Sequence, residues 1–329
     1  MPYLSELGYI GFARQTASGT HVQPSDFMRV KSYNIMPEQE LLVPDAEIGG
    51  DRDIPDAIQE GTLKYSGNAD FYLRPNALGH LIRGVTGATT SSGITGAAYG
   101  HTFTFEDNVE PYSLEARIGE GLEYISVTGA KFSKLHLELG QGELAQGNVE
   151  FIGIDGGAGA TPRTESYEST PIMSFAAGTV IIDGGEYKVR SVSTDINNNL
   201  NEDDYRVGQR TLGTIKERRR DMTVSVELTP EDSTIFRKTY YGSASATTAS
   251  GAQTVFQGPL FIRMQTPQLI PGTTVPYQLD INFTKVAFRA APFTTSGEEL
   301  ITQTLEVVPV KPEGGSIGTI VLRNTKASY

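Results

Sequence analysis

The chain repeats one ordered set of sequence landmarks in its second half, and this repeat limits the folds that it can adopt. Residues 18–32 match residues 177–191 at a constant spacing (177 − 18 = 159), including a Gly-Thr pair and a Val-Lys-Ser or Val-Arg-Ser ending. A Leu-X-Pro sequence recurs at Pro75 and Pro230, and Phe132 and Phe283 begin similar alternating segments. Glu-Leu recurs at residues 143–144 and 299–300. Landmarks in the same order with small drifts in spacing indicate a tandem duplication.

Length and composition are those of a soluble protein with two domains. The 329 residues suffice for two ordinary domains, and 38% hydrophobic residues with a mean hydropathy of −0.25 are typical of globular chains. We predict a first domain over 1–154, a linker over 155–171, a second domain over 172–310 and a tail over 311–329. The chain shows neither a membrane-length apolar run nor a signal-peptide pattern, so we expect a protein made in the cytoplasm.

The charge and the absence of cysteine exclude several classes of function. A chain without Cys forms no disulfide, thiol nucleophile or thiolate metal site. A formal net charge of −12 argues against a nucleic-acid binder that neutralises phosphates. It remains compatible with a surface to which DNA does not adhere.

Alternation of apolar and polar residues dominates the chain and predicts antiparallel strands. Residues 67–73 place Ala69, Phe71 and Leu73 on one face, and residues 222–228 place Met222, Val224, Val226 and Leu228 on one face. Only two segments have a helical pattern, 76–83 and 231–240, and each follows one of the matched prolines. We therefore predict a mainly β fold in which each repeat is a β-sandwich or half-barrel with one helix.

A long polar segment lies at the same place in each repeat, over 33–60 and over 192–217. Loops of this length are uncommon in compact domains, and such a loop at two matched positions predicts contacts with partners. The candidate contact residues are the charged and apolar residues of these segments and of the basic cluster that follows the second: Val43, Asp45, Asp51, Arg52, Asp53, Asp203, Asp204, Lys216, Arg218, Arg219 and Arg220. Acidic residues flank the basic cluster, which favours an ion-pairing surface over contact with nucleic acid.

The sequence offers no convincing site for catalysis or for a cofactor. His21, His80, His101 and His136 are dispersed, without metal-ligand spacing. Residues 195–206 begin like an EF-hand but lack its glycine and its bidentate Glu, so a solvated loop is favoured over calcium. Residues 156–161 lack the lysine of a P-loop and favour a flexible linker. We predict that the chain is not an enzyme and binds no cofactor or metal.

The ordered features resemble the major tail tube proteins of long, flexible-tailed bacteriophages. The resemblance rests on the opening strand ending at residues 30–32, the long acidic segment, the strand 67–73, the helix after Pro75, the stretch 99–105 and the strand 127–132. The first repeat shows this order almost completely, and the second shows it with a weaker middle. The duplication is similar to that of double-domain tube proteins from some thermophilic phages.

This resemblance implies two tandem tail-tube-type β-sandwich domains that give strands to a barrel shared around a ring. Six domains with four strands each make 24 strands, which at a tilt of about 40° form a barrel roughly 48 Å wide with a bore of roughly 38 Å. Three chains would then close a homotrimeric, pseudo-hexameric ring, and stacked rings would form the channel for DNA ejection. The two long polar segments, with their candidate contact residues, would bridge one ring to the next. The implied location is the virion tail, assembled in the host cytoplasm without a membrane. The implied partners are further copies, the tape measure protein, the tail terminator and distal tail proteins.

Three acidic residues on the wet face of predicted strands are candidates for the lumen of such a tube. They are Asp70, Glu138 and Glu227. DNA must pass through a tube without specific binding, and negative groups avoid phosphate contacts. The alternation of apolar and polar residues predicts that these side chains face solvent, but it leaves open whether they face the lumen or the outer wall. The alternative function from another class is a β-sandwich binding or adhesion module of a phage tail tip or cell surface.

Overall fold

A computed structural model describes residues 7–45, 58–159, 161–248, 255–289, 292–294 and 300–329 of the chain. Antiparallel strands predominate in this part, with one α-helix in each half. The elements of the first half are β1 (Tyr9–Arg14), β2 (Asp26–Met28), β3 (Ser32–Leu42), β4 (Gln59–Tyr72), α1 (Pro75–Thr86), β5 (Gly87–Thr95), β6 (Ala98–Phe105), β7 (Tyr112–Ile118), β8 (Glu123–Gly140), β9 (Gln146–Gly153) and β10 (Asp155–Ala158). Those of the second half are β11 (Thr179–Ile182), β12 (Gly185–Tyr187), β13 (Val189–Asn197), β14 (Asp221–Leu228), α2 (Thr234–Tyr241), β15 (Gln257–Leu269), β16 (Pro276–Phe288), β17 (Phe293–Thr294), β18 (Thr302–Pro309) and β19 (Gly318–Asn324).

The pairing pattern of the first half recurs in the second. In the first half the strand orders β2-β1-β7-β8 and β3-β4-β9-β8 share the long strand β8. In the second half the orders β12-β11-β15-β16 and β13-β14-β18-β16 share the long strand β16. Each strand of one order therefore has a counterpart at the same position of the other, as a tandem duplication predicts.

The two halves join edge to edge through β8 and β13. These strands pair in antiparallel fashion from Ser191 opposite Gly140 to Asn197 opposite Lys134. The junction produces one continuous sheet with the order β3-β4-β9-β8-β13-β14-β18. Backbone N–H and C=O groups that would be unpaired at the edge of one half thus form hydrogen bonds with the other half.

Strand alternation determines which side chains form the core. Ala69, Phe71 and Leu73 are each at most 1% exposed, which confirms the predicted core face of β4. The face Met222, Val224, Val226 and Leu228 of β14 is buried as well, as predicted. Burial of one such large apolar side chain contributes about 1.5–3 kcal/mol to the free energy of folding. A single core cluster includes residues from both halves, which joins the two repeats through packing as well as through the sheet.

Helix α1 begins where the sequence predicts but extends further. Pro75 occupies its first turn after the extended residue Arg74, and the helix ends at Gly87, which has a φ of 105° that favours glycine. Within the helix, Gly84 allows close approach to the core, because a Cβ at this position would lie 2.0 Å from the Phe132 ring. Helix α2 begins at Thr234, so the prediction of a helix from 231 was wrong for its first turn. The Asp232 carboxylate instead accepts a hydrogen bond from the Thr234 N–H at 2.8 Å.

The interpretation of the two long polar segments as loops was partly wrong. Most of the described part of the first segment consists of β3 and the beginning of β4, which form a long hairpin with Tyr33 opposite Ala69 and Leu42 opposite Gln59. The first residues of the second segment, up to Asn197, belong to β13. In β13 only Val192 and Ile196, and in β3 only Ile35, are apolar residues buried in the core, and cross-strand pairing satisfies the backbone of the polar residues between them, so alternation did not reveal the strands.

The segments after each repeat are also more structured than predicted. Asp155–Ala158, expected in a flexible linker, form β10 on β8. In the stretch expected as a tail, β19 pairs with β16 of the second half and with β6 of the first half. The matched Gly-Thr landmarks also differ in structure, because residues 18–19 lie in a turn whereas Thr179 begins β11. The strand that occupies the place of β11 in the first half is β1, which pairs with β2 and β7.

Candidate assembly surfaces

Asp70, Glu138 and Glu227 lie on one face of the continuous sheet. They come from β4, β8 and β14, and the side-chain alternation of each strand points them away from the apolar core. The pairing register places these side chains on the same face on both sides of the junction. Glu138 on β8 lies opposite Ser193 on β13, and Ser193 lies opposite Ser225 on β14, two residues before Glu227. The structure thus brings the three candidates together on one polar face shared by both halves.

The register creates rows of polar residues that cross the junction between the halves. One row contains, in order, Ser32, Asp70, Asn148, His136, Asp195 and Thr223. Neighbours within this row interact directly. The Asp70 carboxylate accepts hydrogen bonds from the Ser32 hydroxyl at 2.6 Å and from the Asn148 amide at 2.7 Å, and these two bonds lower its pKa. Asp70 is therefore held as a carboxylate with a defined orientation.

Carboxylates outnumber cations on this polar face. The alternating positions of β4, β9, β8, β13, β14 and β18 hold the carboxylates Glu60, Asp70, Glu138, Glu150, Asp195, Asp221, Glu227 and Glu306, and the cations Lys64, Lys131 and Lys134. Lys134 lies 3.5 Å from Asp195, Arg190 lies 3.9 Å from Glu227 and Arg289 lies 2.7 Å from Glu306, and the face still has more carboxylates than cations. A surface of this composition repels phosphate over roughly a Debye length of 8–10 Å at physiological salt.

Strand β3 is a free edge of the described sheet. It pairs with β4 along one side, whereas its counterpart β13 pairs with β14 on one side and β8 on the other. Pro37 within β3 fits an edge position, because proline has no N–H to donate toward a further strand. Among the described residues, the hairpin also exposes more than half of several apolar side chains: Met36, Leu41, Leu42, Val43 and Ile58. Exposed apolar groups beside a free edge are typical of a protein interface.

The long segment of the second half instead packs against the first half. Leu200, Leu212 and Ile215 are buried in a small cluster with Ile152 of β9. The Leu63 N–H donates to the Arg210 carbonyl at 2.7 Å, which ties the segment to β4. Ion pairs link Lys64 with Glu202, at 2.6 Å, and Arg210 with Glu60. This segment therefore holds the two halves of the chain together by buried apolar contacts, a backbone hydrogen bond and ion pairs.

The charged candidate residues of the second segment have partners within the chain. Arg218 lies 3.2 Å from Asp203, and Arg206 lies 2.9 Å from Asp204. Arg220 donates to the Asn198 side chain at 2.8 Å, and its guanidinium lies over the Phe105 ring. The backbone carbonyls of Lys216 and Arg219 accept from Asn201 and Asn199. Contact of these residues with another ring stays a prediction.

The first segment is described only in part. Val43 and Asp45 are exposed at the end of the β3–β4 hairpin, beside the apolar residues described above. Asp51, Arg52 and Asp53 lie outside the described residues. The contact role of this group also stays a prediction.

Two ionic groups that pattern reasoning missed hold the halves and the C-terminal residues together. Lys131 lies 2.7 Å from Glu217, and although burial alone would raise the pKa of Glu217, hydrogen bonds from Lys131 and from the Val109 N–H lower it. The second group joins Lys326 to Asp26, with His80 at 3.3 Å from the same carboxylate. Burial lowers the pKa of His80, which is therefore held neutral inside the fold. The partners in each group are too distant in sequence for spacing to reveal them.

The described residues contain no group of three or more His, Asp or Glu side chains arranged to hold a metal ion. Asp195, the first residue of the EF-hand-like stretch, lies in a strand and contacts His136 at 3.0 Å. In the part of the chain that the structure covers, the two helices are too short to cross a membrane.

A family model described as phage tail tube protein matches residues 5–309, which is nearly the whole chain. No curated protein matches the chain.

Proposed function

The chain belongs to the phage tail tube protein family, and on this premise we propose that it is the repeating subunit of a tail tube. It is a structural protein of the virion tail. Three chains form each ring, the two halves of each chain act as quasi-equivalent subunits, and stacked rings form the channel for DNA ejection. The tape measure protein, a tail terminator and distal tail proteins are the partners that such a tube requires.

The observation that carries this proposal is the antiparallel junction between β8 and β13. It shows how one half of the chain binds the other half, edge to edge, with the polar faces of both halves continuous. Repetition of the same junction between chains would pair the free edge of β3 with the outer edge of the second half of the neighbouring chain. With β16, which pairs with β18 at the far side of the sheet, the orders β3-β4-β9-β8 and β13-β14-β18-β16 give four strands for each half, so six halves would give the 24-strand barrel with a bore of roughly 38 Å.

The polar face is the lumen in this arrangement. The core side of the continuous sheet is covered by α1 and by the second sheet of each half, so the face with Asp70, Glu138 and Glu227 is the one available to line a channel. Its excess of carboxylates allows duplex DNA to pass without phosphate contacts, each of which would add affinity and slow the passage.

The mass of the isolated ring tests the proposal. Three chains of 35.6 kDa give about 107 kDa, which native mass spectrometry resolves easily from a ring of six chains. We expect the trimer mass and, in electron micrographs, rings with pseudo-sixfold symmetry that stack into tubes. A single-layer ring of six full-length chains would refute the trimer, and a protein that remains monomeric at high concentration would refute tube assembly.

A further inference from the structure

The segment that leads into the second half fills a groove on the first half. The Glu168 carboxylate accepts hydrogen bonds from the N–H groups of Asn76 and Ala77, at 2.9 and 2.8 Å, at the beginning of α1. Met173 is fully buried, and its N–H donates to the Leu73 carbonyl at 3.1 Å. The Met173 carbonyl in turn accepts from the Ala145 N–H at 2.9 Å. This segment thus occupies the groove between β2, the end of β4 and α1.

No described residue fills the corresponding groove of the second half. It has a volume of about 480 Å³ and is lined by Gly185–Tyr187, the β12 counterpart of Asp26–Met28, and by residues 228–232 after β14. These residues include the Leu-X-Pro that matches Leu73 to Pro75 of the first half. The residues that follow the second half do not fill it, since Thr325 and Tyr329 bind α1 of the first half through Asn76.

A short sequence match identifies the segment that fits the open groove. Residues 2–5 read Pro-Tyr-Leu-Ser, and residues 171–174 of the filled groove read Pro-Ile-Met-Ser. The spacing is 171 − 2 = 169, close to the 180 − 10 = 170 that separates Val180 of β11 from Ile10 of β1. Ile10 and Val180 are counterparts, because they pair with Met28 and Tyr187 at equivalent positions of β2 and β12. Leu4 is therefore the counterpart of the buried Met173.

We propose that residues 2–5 dock in the open groove of the second half of a neighbouring copy of the chain, a proposal that rests on the ring of the proposed function. Within one chain, the segment that enters the second half crosses the half that precedes it in the sheet. In a ring, the half that precedes the first half of one chain is the second half of its neighbour. The docked segment links successive chains as residues 155–173 link the two halves of one chain, and Leu4 takes the place that Met173 occupies in the filled groove.

Cross-linking between two differently tagged chains tests the docking directly, because the natural chain has no cysteine. One chain carries Ser5→Cys and the other carries Thr229→Cys, and a short bis-maleimide is added to mixed rings. We expect a covalent dimer that contains both tags. The matched control pairs Ser5→Cys with Arg74→Cys, the counterpart of Thr229 in the filled groove, and should give at least tenfold less product. A cross-link formed mainly within a chain that carries both Ser5→Cys and Thr229→Cys would overturn the proposal.

A peptide assay separates this inference from the formation of rings. A fluorescent peptide of residues 1–8 is titrated against the full-length chain with Leu4→Asp, which leaves the groove unoccupied by the natural segment. We expect binding that Thr229→Trp in the groove weakens at least tenfold, and that Leu4→Asp within the peptide abolishes. Rings without peptide binding and without the mixed cross-link would overturn the docking but not the tube, whereas peptide binding to a chain that never forms rings would refute the tube alone.

Discussion

The two long polar segments occupy matched positions in the two halves, yet the first is exposed to solvent and the second packs against the other half of the chain. In the first half, the β3–β4 hairpin carries exposed apolar side chains at its end and has a free edge. In the second half, residues 198–217 lie on β9 and β4 of the first half and bury Leu212 and Ile215 there. The two halves carry such a segment at the same position of the pairing pattern; the second one packs within the chain, and we expect the first one to contact neighbours.

This contrast shows how two halves with the same strand pairing can differ in which contacts their long segments make. An interface that is made within the chain no longer depends on protein concentration, so the second segment can contribute stability in the monomer. The described part of the first segment leaves its apolar end exposed, and we expect it to contribute only in an assembly. We therefore expect substitutions in the two segments to have opposite effects on stability and on assembly.

The largest expected effect follows removal of the hairpin end. Replacing residues 43–56 by a short Gly/Ser link should leave a folded, β-rich protein that does not elongate into tubes, because the proposed contact residues Val43, Asp45, Asp51, Arg52 and Asp53 are removed. Circular dichroism would report the fold, and electron microscopy would report tube length. Tubes of normal length from this variant would contradict the assignment of the hairpin to contacts between rings.

The matched change in the second segment should act on stability. Leu212→Ala removes a buried side chain and should lower the free energy of unfolding by about 2–4 kcal/mol. Leu42→Ala, at an exposed site of the hairpin, should change it by less than about 0.5 kcal/mol while impairing elongation. Chemical denaturation of the two monomeric variants measures both values. Equal losses of stability in both would show that the hairpin also packs within its own chain.

The sequence alone predicted the strands better than it predicted the contacts between the halves. Alternation located the core faces of β4 and β14 because one side of each is apolar and the other is polar. It failed for β3 and for the part of β13 up to Asn197, where a polar stretch was taken for a loop. The polar face with Asp70, Glu138 and Glu227 depends on the β8–β13 register, and a pairing between residues about 60 positions apart has no local signal.

A smaller effect should distinguish the halves by pH. All four histidines lie in the first half, and buried His80 faces Asp26, Lys326 and Arg83. Because the pKa of His80 is lowered in the fold, the unfolded chain takes up a proton near pH 6.5 that the folded chain does not. Stability should therefore fall as the pH drops below about 6.5, whereas the loss from Asp26, whose pKa is lowered, begins only below about pH 4.

Hydrogen exchange at pH 7.5 and pH 5.5 locates this effect. We expect amides of α1 and β2 to lose protection at the lower pH, with little change in α2 and β12. His80→Gln should reduce the difference in α1, and His136→Gln, on the polar face, serves as the control. A uniform loss of protection in both halves would show that the acid sensitivity does not arise from His80.

The smallest expected effect concerns the passage of DNA, and it tests whether the polar face is the lumen. Asp70→Lys with Glu227→Lys places cations on that face, where each new phosphate contact adds salt-dependent affinity. Assembly should be nearly normal, while release of DNA from virions should slow severalfold, with less slowing at higher salt. Glu120→Lys with Glu313→Lys changes the net charge equally at exposed positions away from the face and should leave release unchanged. The neutral pair Asp70→Asn with Glu227→Gln should give an intermediate rate if charge is the cause. If the lysine pair releases DNA at the normal rate from normal tubes, these two residues face the outer wall, and the contrast between the halves then concerns assembly alone.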